Sequence, residues 1–231
     1  MLLHARHWVG YTYPMDAIYT FLKTILDFLV QIVTLFVNLI IYVLNFIGKL
    51  ICEHLDKPVR TEDVVVACLF HDMGNILKFD LGAMPGFLEP EGLEYWQKVK
   101  EEFNNKYGTE QHSATEKIAR ELKLPQAILE ILGATGFSRI AEVAASSSME
   151  TKIVQYADMR VGPFGILPFK ERLADLSRRY AAKKNHLSEA AERGCYDIER
   201  QIFAQAAIKP EDINDAAVAP LIEELWEYPV P

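Results

Sequence analysis

The segment from Phe28 to Ile47 constrains the fold more than any other part of this sequence. Its twenty positions are apolar or aromatic with four uncharged exceptions: Gln31, Thr34, Asn38 and Asn45. A run of this length and purity meets the criterion for a helix that spans a membrane. The polar residues between Thr20 and Lys49, however, recur every three, four or seven positions, so they form one narrow stripe along a helix.

Three structures are compatible with a narrow polar stripe on a broad apolar helix. The stripe can hydrogen-bond to a partner helix within a membrane, form the seam of a homodimer, or contact other helices in the centre of a helical domain. We favour the central helix, because the apolar character continues past Ile47 into Cys52 and Leu55 and then into the next predicted helix. Association with a membrane through residues 28–47 is the less favoured alternative, and dimerisation through this helix also stays open.

The overall composition favours a folded, acidic protein of the cytoplasm. Half of the 231 residues are hydrophobic, which excludes wholesale disorder, and the length suits one domain with extensions. The formal net charge of −8 argues against a nucleic-acid-binding protein, because phosphate backbones require a basic face. The cysteines Cys52, Cys68 and Cys195 follow no zinc or disulfide spacing, and we interpret them as buried thiols in a reducing compartment.

The segment Val64–Lys78, VVVACLFHDMGNILK, places His71 beside Asp72 after an apolar run. Imidazole and carboxylate groups both ligate divalent first-row metals. Neighbouring residues of a helix point about 100° apart, so such a pair needs further ligands from elsewhere in the fold. Thr61 is the predicted N-cap of this helix, and Gly74 suits the left-handed position that ends it. The alternative interpretation is a helix-end histidine paired with a local carboxylate.

The motif ACLFHDMGN, residues 67–75, resembles the signature of the HD-domain metal-dependent phosphohydrolases. A second similarity is YADMRVGPFG, which places Asp158 late in a predicted helix, 86 residues after Asp72. Between them, GTEQHSATEKIARELKLP is similar to the segment that follows the motif in many members, and the whole resemblance spans Cys52–Tyr180. It implies an all-α fold, an HD-domain-like helical bundle, with a divalent metal bound by His71, Asp72 and Asp158.

The resemblance also implies hydrolysis of a nucleotide or another small phosphate ester. The ion (Mn, Fe, Co, Ni, Zn or Mg) would activate water that Asp72 orients, while Lys78 or Arg160 neutralises charge on the phosphate. Where the family has a lysine, one place after the glycine of the motif, this sequence has Asn75. The further substrate contacts that the resemblance implies are Asn75 and His112. Three of these residues have a structural alternative: a salt bridge to Asp158 for Arg160, a solvated loop for Lys78 and a helix N-terminus for His112.

The sequence departs from the family pattern in one ligand. Members usually supply a first metal histidine from the helix before the His-Asp pair, and the corresponding window Asn38–Tyr42 reads NLIIY. His54 lies 17 residues before His71 at a predicted helix end and is a poor substitute, whereas Asn38 offers an amide oxygen. The alternative function is therefore a catalytically impaired HD-fold module that binds a ligand or a partner.

The chain divides into three predicted parts. Residues 1–14 form an N-terminal segment, residues 15–180 the HD-like domain, and residues 181–231 C-terminal helices packed on that domain. Glycines and prolines predict a loop over residues 77–92, whose apolar side chains form a packed connection rather than a lid. Further helices are predicted after this loop and in both halves of the C-terminal part, around Leu187–Ala206 and Ile213–Tyr228.

Overall fold

The computed structural model describes residues 38–83, 88, 90–162, 165–182 and 189–218. These residues are predominantly helical, which confirms the predicted all-α class. The helices are α1 (Asn38–Glu53), α2 (Thr61–Phe70), α3 (Gly92–Tyr107), α4 (Gln111–Glu121), α5 (Gln126–Ala134), α6 (Ile140–Ala145), α7 (Met149–Asp158), α8 (Phe169–Ala182), α9 (Glu189–Phe203) and α10 (Asp215–Val218). Strands β1 (Val161–Gly162) and β2 (Gly165–Ile166) pair antiparallel.

Helices α1 and α2 form the centre of the main core. Residues 44–48 of α1 are all buried, so this part of the helix is covered on every side. The connection to α2, residues 54–60, is short, which makes the two packed helices antiparallel neighbours. Gly48 allows their close approach, since a Cβ there would lie 3.1 Å from the Cys68 Sγ and 3.1 Å from a Val64 methyl carbon. Residues 44–47 of the apolar segment thus lie in the core, as the prediction of a central helix requires.

Residues 1–37 lie outside the described part of the chain. They include the predicted N-terminal segment and the first half of the apolar run. The alternatives of a dimer seam or a membrane contact through that half therefore stay predictions. Within the ranges that the structure describes, no helix is long and apolar enough to cross a membrane.

The segment after the His-Asp pair is compact rather than an open loop. It forms two 3-10 helices, Met73–Lys78 and Leu81–Ala83, which pack against α3. Their apolar side chains share a separate small cluster with Trp96 and Val99 of that helix. The Lys100 ammonium donates a hydrogen bond to the Phe79 carbonyl at 2.7 Å. The predicted packed connection is confirmed for these residues, while residues 84–87 lie outside the described ranges.

The C-terminal helix α9 belongs to the same core as α7. Buried side chains of both helices lie in one cluster, with Ile153, Val154 and Ala157 from α7 and Cys195, Ile198 and Ile202 from α9. The helix predicted around Leu187–Ala206 is thus confirmed and packs as expected. Helix α6, which the sequence pattern did not predict, packs against α9 at Gly194, where a Cβ would lie 2.9 Å from an Ile140 methyl carbon. The three cysteines are free and buried, as predicted.

The ends of α2 differ from the prediction. Thr61 is the first residue of the helix and not its N-cap, which is Arg60 and makes no capping hydrogen bond through its side chain. Glu62 and Asp63 occupy the first turn, where their charges complement the positive end of the helix dipole. At the other end, His71 keeps a right-handed helical conformation and its N–H donates to the Ala67 carbonyl at 2.9 Å. The helix therefore leads from the core directly into His71.

Candidate functional site

The imidazole of His71 is held by its own helix. Its side chain is only 6% exposed, and its Nδ1 lies 2.8 Å from the Cys68 carbonyl oxygen. A carbonyl only accepts hydrogen bonds, so Nδ1 carries the hydrogen. In the neutral imidazole the lone pair is then on Nε2, which is the arrangement of a histidine that uses Nε2 as a ligand.

Two carboxylates lie next to that Nε2. Oδ2 of Asp72 is 3.3 Å away and Oδ1 of Asp158 is 3.5 Å away. Nε2 is fully buried and makes no hydrogen bond of acceptable geometry. The side chains of Asp72 and Asp158 are 39% and 36% exposed. The site therefore has a buried imidazole at its base and two carboxylates at a rim that is open to solvent, which brings together the three side chains predicted as ligands.

The charges at this site favour a cation at Nε2. Burial alone lowers the pKa of His71, but attraction to Asp72 and to Asp158 outweighs it and holds the pKa well above its usual value. Burial raises the pKa of Asp72, yet the His71 charge, followed by Lys78 and Asn75, brings it below its usual value. A proton or another positive charge between the imidazole and the carboxylates is thus stabilised.

The side chains are not arranged as a ready metal site. Among the residues that the structure describes, no group of three or more His, Cys, Asp or Glu side chains could hold an ion as it stands. Ion binding would require the carboxylates to reorient, and their solvent exposure leaves room for this movement.

Gly74 fixes the turn after the His-Asp pair against α4. Its N–H donates to the Thr115 hydroxyl at 2.9 Å, and that hydroxyl donates to the His71 carbonyl at 3.4 Å. A Cβ on Gly74 would collide with the Gln111 carbonyl oxygen. The residue lies in a 3-10 helix and has no positive φ, so the predicted left-handed helix end is wrong. Glycine is required here by the close approach of α4.

Replacing Gly74 by Ala should therefore destabilise the fold. We expect the free energy of unfolding to fall by about 1–3 kcal/mol, the usual cost of overpacking a tight contact, because the turn and α4 must separate. Urea denaturation followed by circular dichroism measures this. Gly82→Ala is the matched control, since its Cβ would meet nothing closer than an Asp80 oxygen at 3.5 Å. Equal stability of the two variants would contradict the packing argument.

A polar cleft of about 340 Å³ contains His112. It is lined by Glu110, His112, Ser113, Glu116, Gly133, Thr135, Gly136, Ser138 and Arg139. Glu110 caps α4 by accepting hydrogen bonds from the backbone N–H groups of His112 and Ser113, at 3.1 and 2.7 Å. His112 thus lies in the first turn of α4, as the alternative to a substrate contact predicted. Its exposed ring also lines the cleft.

The charge of Lys78 influences carboxylates of both the cleft and the His-Asp site. The backbone of Ser113 is the main cause of the lowered pKa of Glu110, and the charge of Lys78 adds to it. The same charge contributes to the lowered pKa of Asp72, as does the side chain of Asn75. The exposed Lys78 ammonium therefore acts on a carboxylate of the site and on one of the cleft. Lys78 and Asn75, both predicted to act on the substrate, thus both stabilise the charge of Asp72.

Arg160 does not face the site. Its side chain is 3% exposed and donates hydrogen bonds to three backbone carbonyls, at 2.7, 3.1 and 2.8 Å: those of Leu167, Pro210 and Ile213. It also donates to the Tyr156 hydroxyl, which in turn donates to Glu199 at 2.8 Å. This geometry contradicts the predicted phosphate clamp, and no ion pair joins Arg160 to Asp158 in the described ranges. The guanidinium instead fastens the C-terminal segment to α7.

His54 lies at the opposite end of α2 from His71. Its Nδ1 is 2.8 Å from the Leu50 carbonyl oxygen, and its own carbonyl accepts a hydrogen bond from Ala207 at 2.7 Å. The ten residues of α2 separate the two histidines by about 15 Å along the helix axis. His54 is therefore no substitute for a ligand of this site.

The sequence patterns did not identify two residues that lie next to the site. Thr115 fastens the His-Asp turn to α4, as described above. Gln155 is buried one turn before Asp158, and its Oε1 accepts a hydrogen bond from the Gly136 N–H at 2.8 Å. Helical spacing of three residues from Asp158 would have placed Gln155 on the same face.

Comparison of the chain with known proteins gave no match to a family model, to a curated protein or to a solved structure.

Proposed function

We propose that this protein is a metal-dependent phosphohydrolase of the HD-domain type, which hydrolyses a nucleotide or another small phosphate ester. One observation carries the proposal: the buried Nε2 of His71 has no hydrogen-bond partner and faces the carboxylates of Asp72 and Asp158. A buried nitrogen in this state needs a proton or a metal ion.

The distances from Nε2 to the two carboxylates are compatible with an ion as well as with a proton. Two ligand atoms bound to one ion at about 2.0–2.2 Å, with an angle of about 90–110° between them, are about 2.8–3.6 Å apart. The distances from Nε2 to the two carboxylate oxygens, 3.3 and 3.5 Å, lie in this interval. They are longer than the about 2.7–2.9 Å of a strong charge-assisted hydrogen bond. His71, Asp72 and Asp158 would hold the ion after a small reorientation of the two carboxylates.

The residues of the chain would divide the work of hydrolysis. A bound divalent ion supplies Lewis-acid chemistry, activating water and polarising a phosphoryl oxygen. Asp72, at the solvent-exposed rim, orients the attacking water through its second carboxylate oxygen. Lys78 neutralises charge that develops on the phosphate, since its ammonium already acts on Asp72. Arg160 takes no part.

The neighbouring cleft supports a small substrate. Its volume of about 340 Å³ is within the range of ligand pockets, and His112 and Asn75 are the proposed contacts outside the phosphate. The acidic character of the chain, with a net charge of −8, makes a nucleic-acid substrate the less favourable choice.

Removal and return of metal test the proposal directly. The purified protein should bind a divalent ion stoichiometrically and hydrolyse at least one member of a panel of nucleotides and simple phosphate esters. Dialysis against a chelator should abolish this hydrolysis, and one of Mn²⁺, Fe²⁺, Co²⁺, Ni²⁺, Zn²⁺ or Mg²⁺ should restore it. Hydrolysis that persists at the full rate in the chelated protein would exclude the proposed mechanism.

The second candidate is a non-catalytic HD-like module that binds a ligand or partner. Two observations favour it: the described side chains form no ready metal site, and residues 38–42 contain no histidine. In that case the buried imidazole of His71 forms ion pairs with two partly exposed carboxylates, and these pairs stabilise the turn. The metal titration separates the candidates, because the module would bind no stoichiometric divalent ion.

A further inference from the structure

The polar cleft described above is held against the His-Asp site from two sides. On one side, Thr115 of α4, the helix whose first turns line the cleft, accepts a hydrogen bond from the Gly74 N–H at 2.9 Å. On the other side, the N–H of Gly136, a lining residue, donates to Oε1 of Gln155 at 2.8 Å. Gln155 precedes Asp158 by three residues on α7, about 4.5 Å along the helix axis. The same elements support the cleft and the site, so a phosphate ester bound at the site can extend into the cleft.

The lining of this cleft is polar. Ligand pockets are mostly lined by apolar and aromatic side chains, and proteins bind a nucleobase by stacking it on such side chains. Among the lining residues that the structure describes, only His112 has a ring and none has a purely apolar side chain. The others are two carboxylates, three hydroxyls, one guanidinium and two glycines: Glu110, Glu116, Ser113, Thr135, Ser138, Arg139, Gly133 and Gly136. The cleft therefore has no pair of apolar faces for a base.

The charges of the cleft disfavour an anionic group inside it. Glu110 and Glu116 place two carboxylates in the lining. The guanidinium of Arg139 is already engaged, because it donates to the Gly133 carbonyl and pairs with the Glu142 carboxylate at 2.9 Å. Like charges at close range repel each other. The part of the substrate that enters the cleft should therefore carry no negative charge, and the phosphate should stay outside it at the His-Asp site.

A buried donor without a partner lies beside the cleft. Gln155 is 1% exposed, and its Nε2 has no hydrogen-bond partner among the described residues. Its Oε1 is bonded to Gly136, and both atoms belong to one amide group, so Nε2 also lies next to this lining residue. A buried polar atom of this kind calls for a water or a ligand group. A bridging water would carry its hydrogen bond into the cleft.

The hydrogen-bonding groups of the cleft match neighbouring hydroxyls. Ionised carboxylates only accept hydrogen bonds, an amide NH₂ only donates, and hydroxyl groups do both. Each hydroxyl of a sugar or polyol also donates and accepts, so it can pair with any member of this set. We propose that the cleft binds a polyhydroxylated group and that the substrate is a sugar or polyol monophosphate. This inference rests on the function proposed above and names its substrate class.

Initial rates with two panels of esters test the inference on the full chain, with the metal ion that restores hydrolysis. One panel contains pentose, hexose and polyol monophosphates, and the other contains nucleoside monophosphates and p-nitrophenyl phosphate. The best ester of the first panel should exceed every ester of the second in kcat/KM by about tenfold or more, because several hydrogen bonds to hydroxyls are gained.

Glu116→Leu removes a carboxylate acceptor from the cleft. It should raise KM for the best sugar or polyol ester by about tenfold or more, since a hydrogen bond to a charged group is lost, and leave kcat within about twofold. Rates with p-nitrophenyl phosphate should stay the same, which a general folding defect would not allow. Glu116→Gln keeps one acceptor oxygen and should recover part of the affinity. Glu101→Leu, at an exposed carboxylate of α3 outside the lining, is the matched control.

The outcomes separate this inference from the function on which it rests. If nucleoside monophosphates are hydrolysed as well as the sugar and polyol esters, the substrate class is refuted while the phosphohydrolase stands. The same holds if Glu116→Leu and Glu116→Gln leave KM for the preferred ester unchanged, or change the kinetics of all esters alike. If no ester of either panel is hydrolysed, the proposed function itself fails, and this inference fails with it.

Discussion

Asp158→Ala is expected to remove both metal binding and hydrolysis while leaving the protein folded. The variant loses one of the three proposed ligands. Loss of a residue that only supports a ligand already lowers metal affinity by up to about 100-fold, so we expect the loss of a direct ligand to lower it by at least that factor. Hydrolysis should fall by about 10³-fold or more, because Lewis-acid stabilisation contributes several kcal/mol and each 1.36 kcal/mol is a factor of ten. Titration calorimetry and initial rates with the best substrate of the panel measure the two effects.

The exposure of Asp158 makes this variant informative. About a third of its side chain is open to solvent and it ends α7, so truncation leaves no large cavity. Asp158→Asn is a second variant for the same measurements, since it keeps the shape of the side chain and removes its charge. Asp197→Asn on α9 is the control, because this exposed carboxylate forms a local ion pair with Arg200, one turn away on the same helix. A metal affinity of Asp158→Ala equal to that of the control would place the ion elsewhere and refute the proposed site.

The approach of Asp158 to His71 could not have been derived from local sequence patterns. The two residues are far apart in the chain, and only the resemblance to a family linked them. The physical cause is the core: consecutive buried residues in α2 and in α7 require contacts on several sides, and the two helices satisfy this requirement against each other and α1. The functional side chains follow these buried runs closely: His71 comes three residues after Cys68, and Asp158 comes directly after Ala157.

Gly74 shows how a local rule can select the correct residue for the wrong reason. The glycine after an apolar helix suggested a left-handed helix end. The structure uses the missing Cβ for contact with the Gln111 backbone in α4, a tertiary constraint that no local pattern contains. The error at Thr61 is of a milder kind, since helix starts are uncertain by a residue or two.

Arg160 was misread because its neighbour in sequence is the acidic Asp158. Residues two apart on a helix do not face each other, and here α7 ends between them. The acceptors that Arg160 does reach lie directly after β2, at Leu167, and in the C-terminal segment, at Pro210 and Ile213. Those partners are irregular backbone without a sequence signature, which is why the guanidinium was assigned to the substrate.

Replacing Arg160 by Met is expected to cost about 3–4 kcal/mol of folding free energy. The backbone carbonyls of Leu167, Pro210 and Ile213 lose their hydrogen-bond donor. Each buried acceptor left unpaired costs about 1–3 kcal/mol, and water that enters the site compensates part of this cost. Arg160→Lys keeps the charge but cannot reach three carbonyls at once, so it should recover only a minor part. Urea denaturation gives the free energies of unfolding.

The control for this loss is Arg200→Met, which removes an exposed arginine from a surface ion pair with Asp197 and should change stability by about 0.5 kcal/mol or less. Metal stoichiometry of folded Arg160→Met should equal that of the natural protein, because the guanidinium faces the C-terminal segment and not His71. A different result would reverse the assignment: unchanged stability with a raised KM for the phosphate ester would mean that Arg160 turns toward substrate.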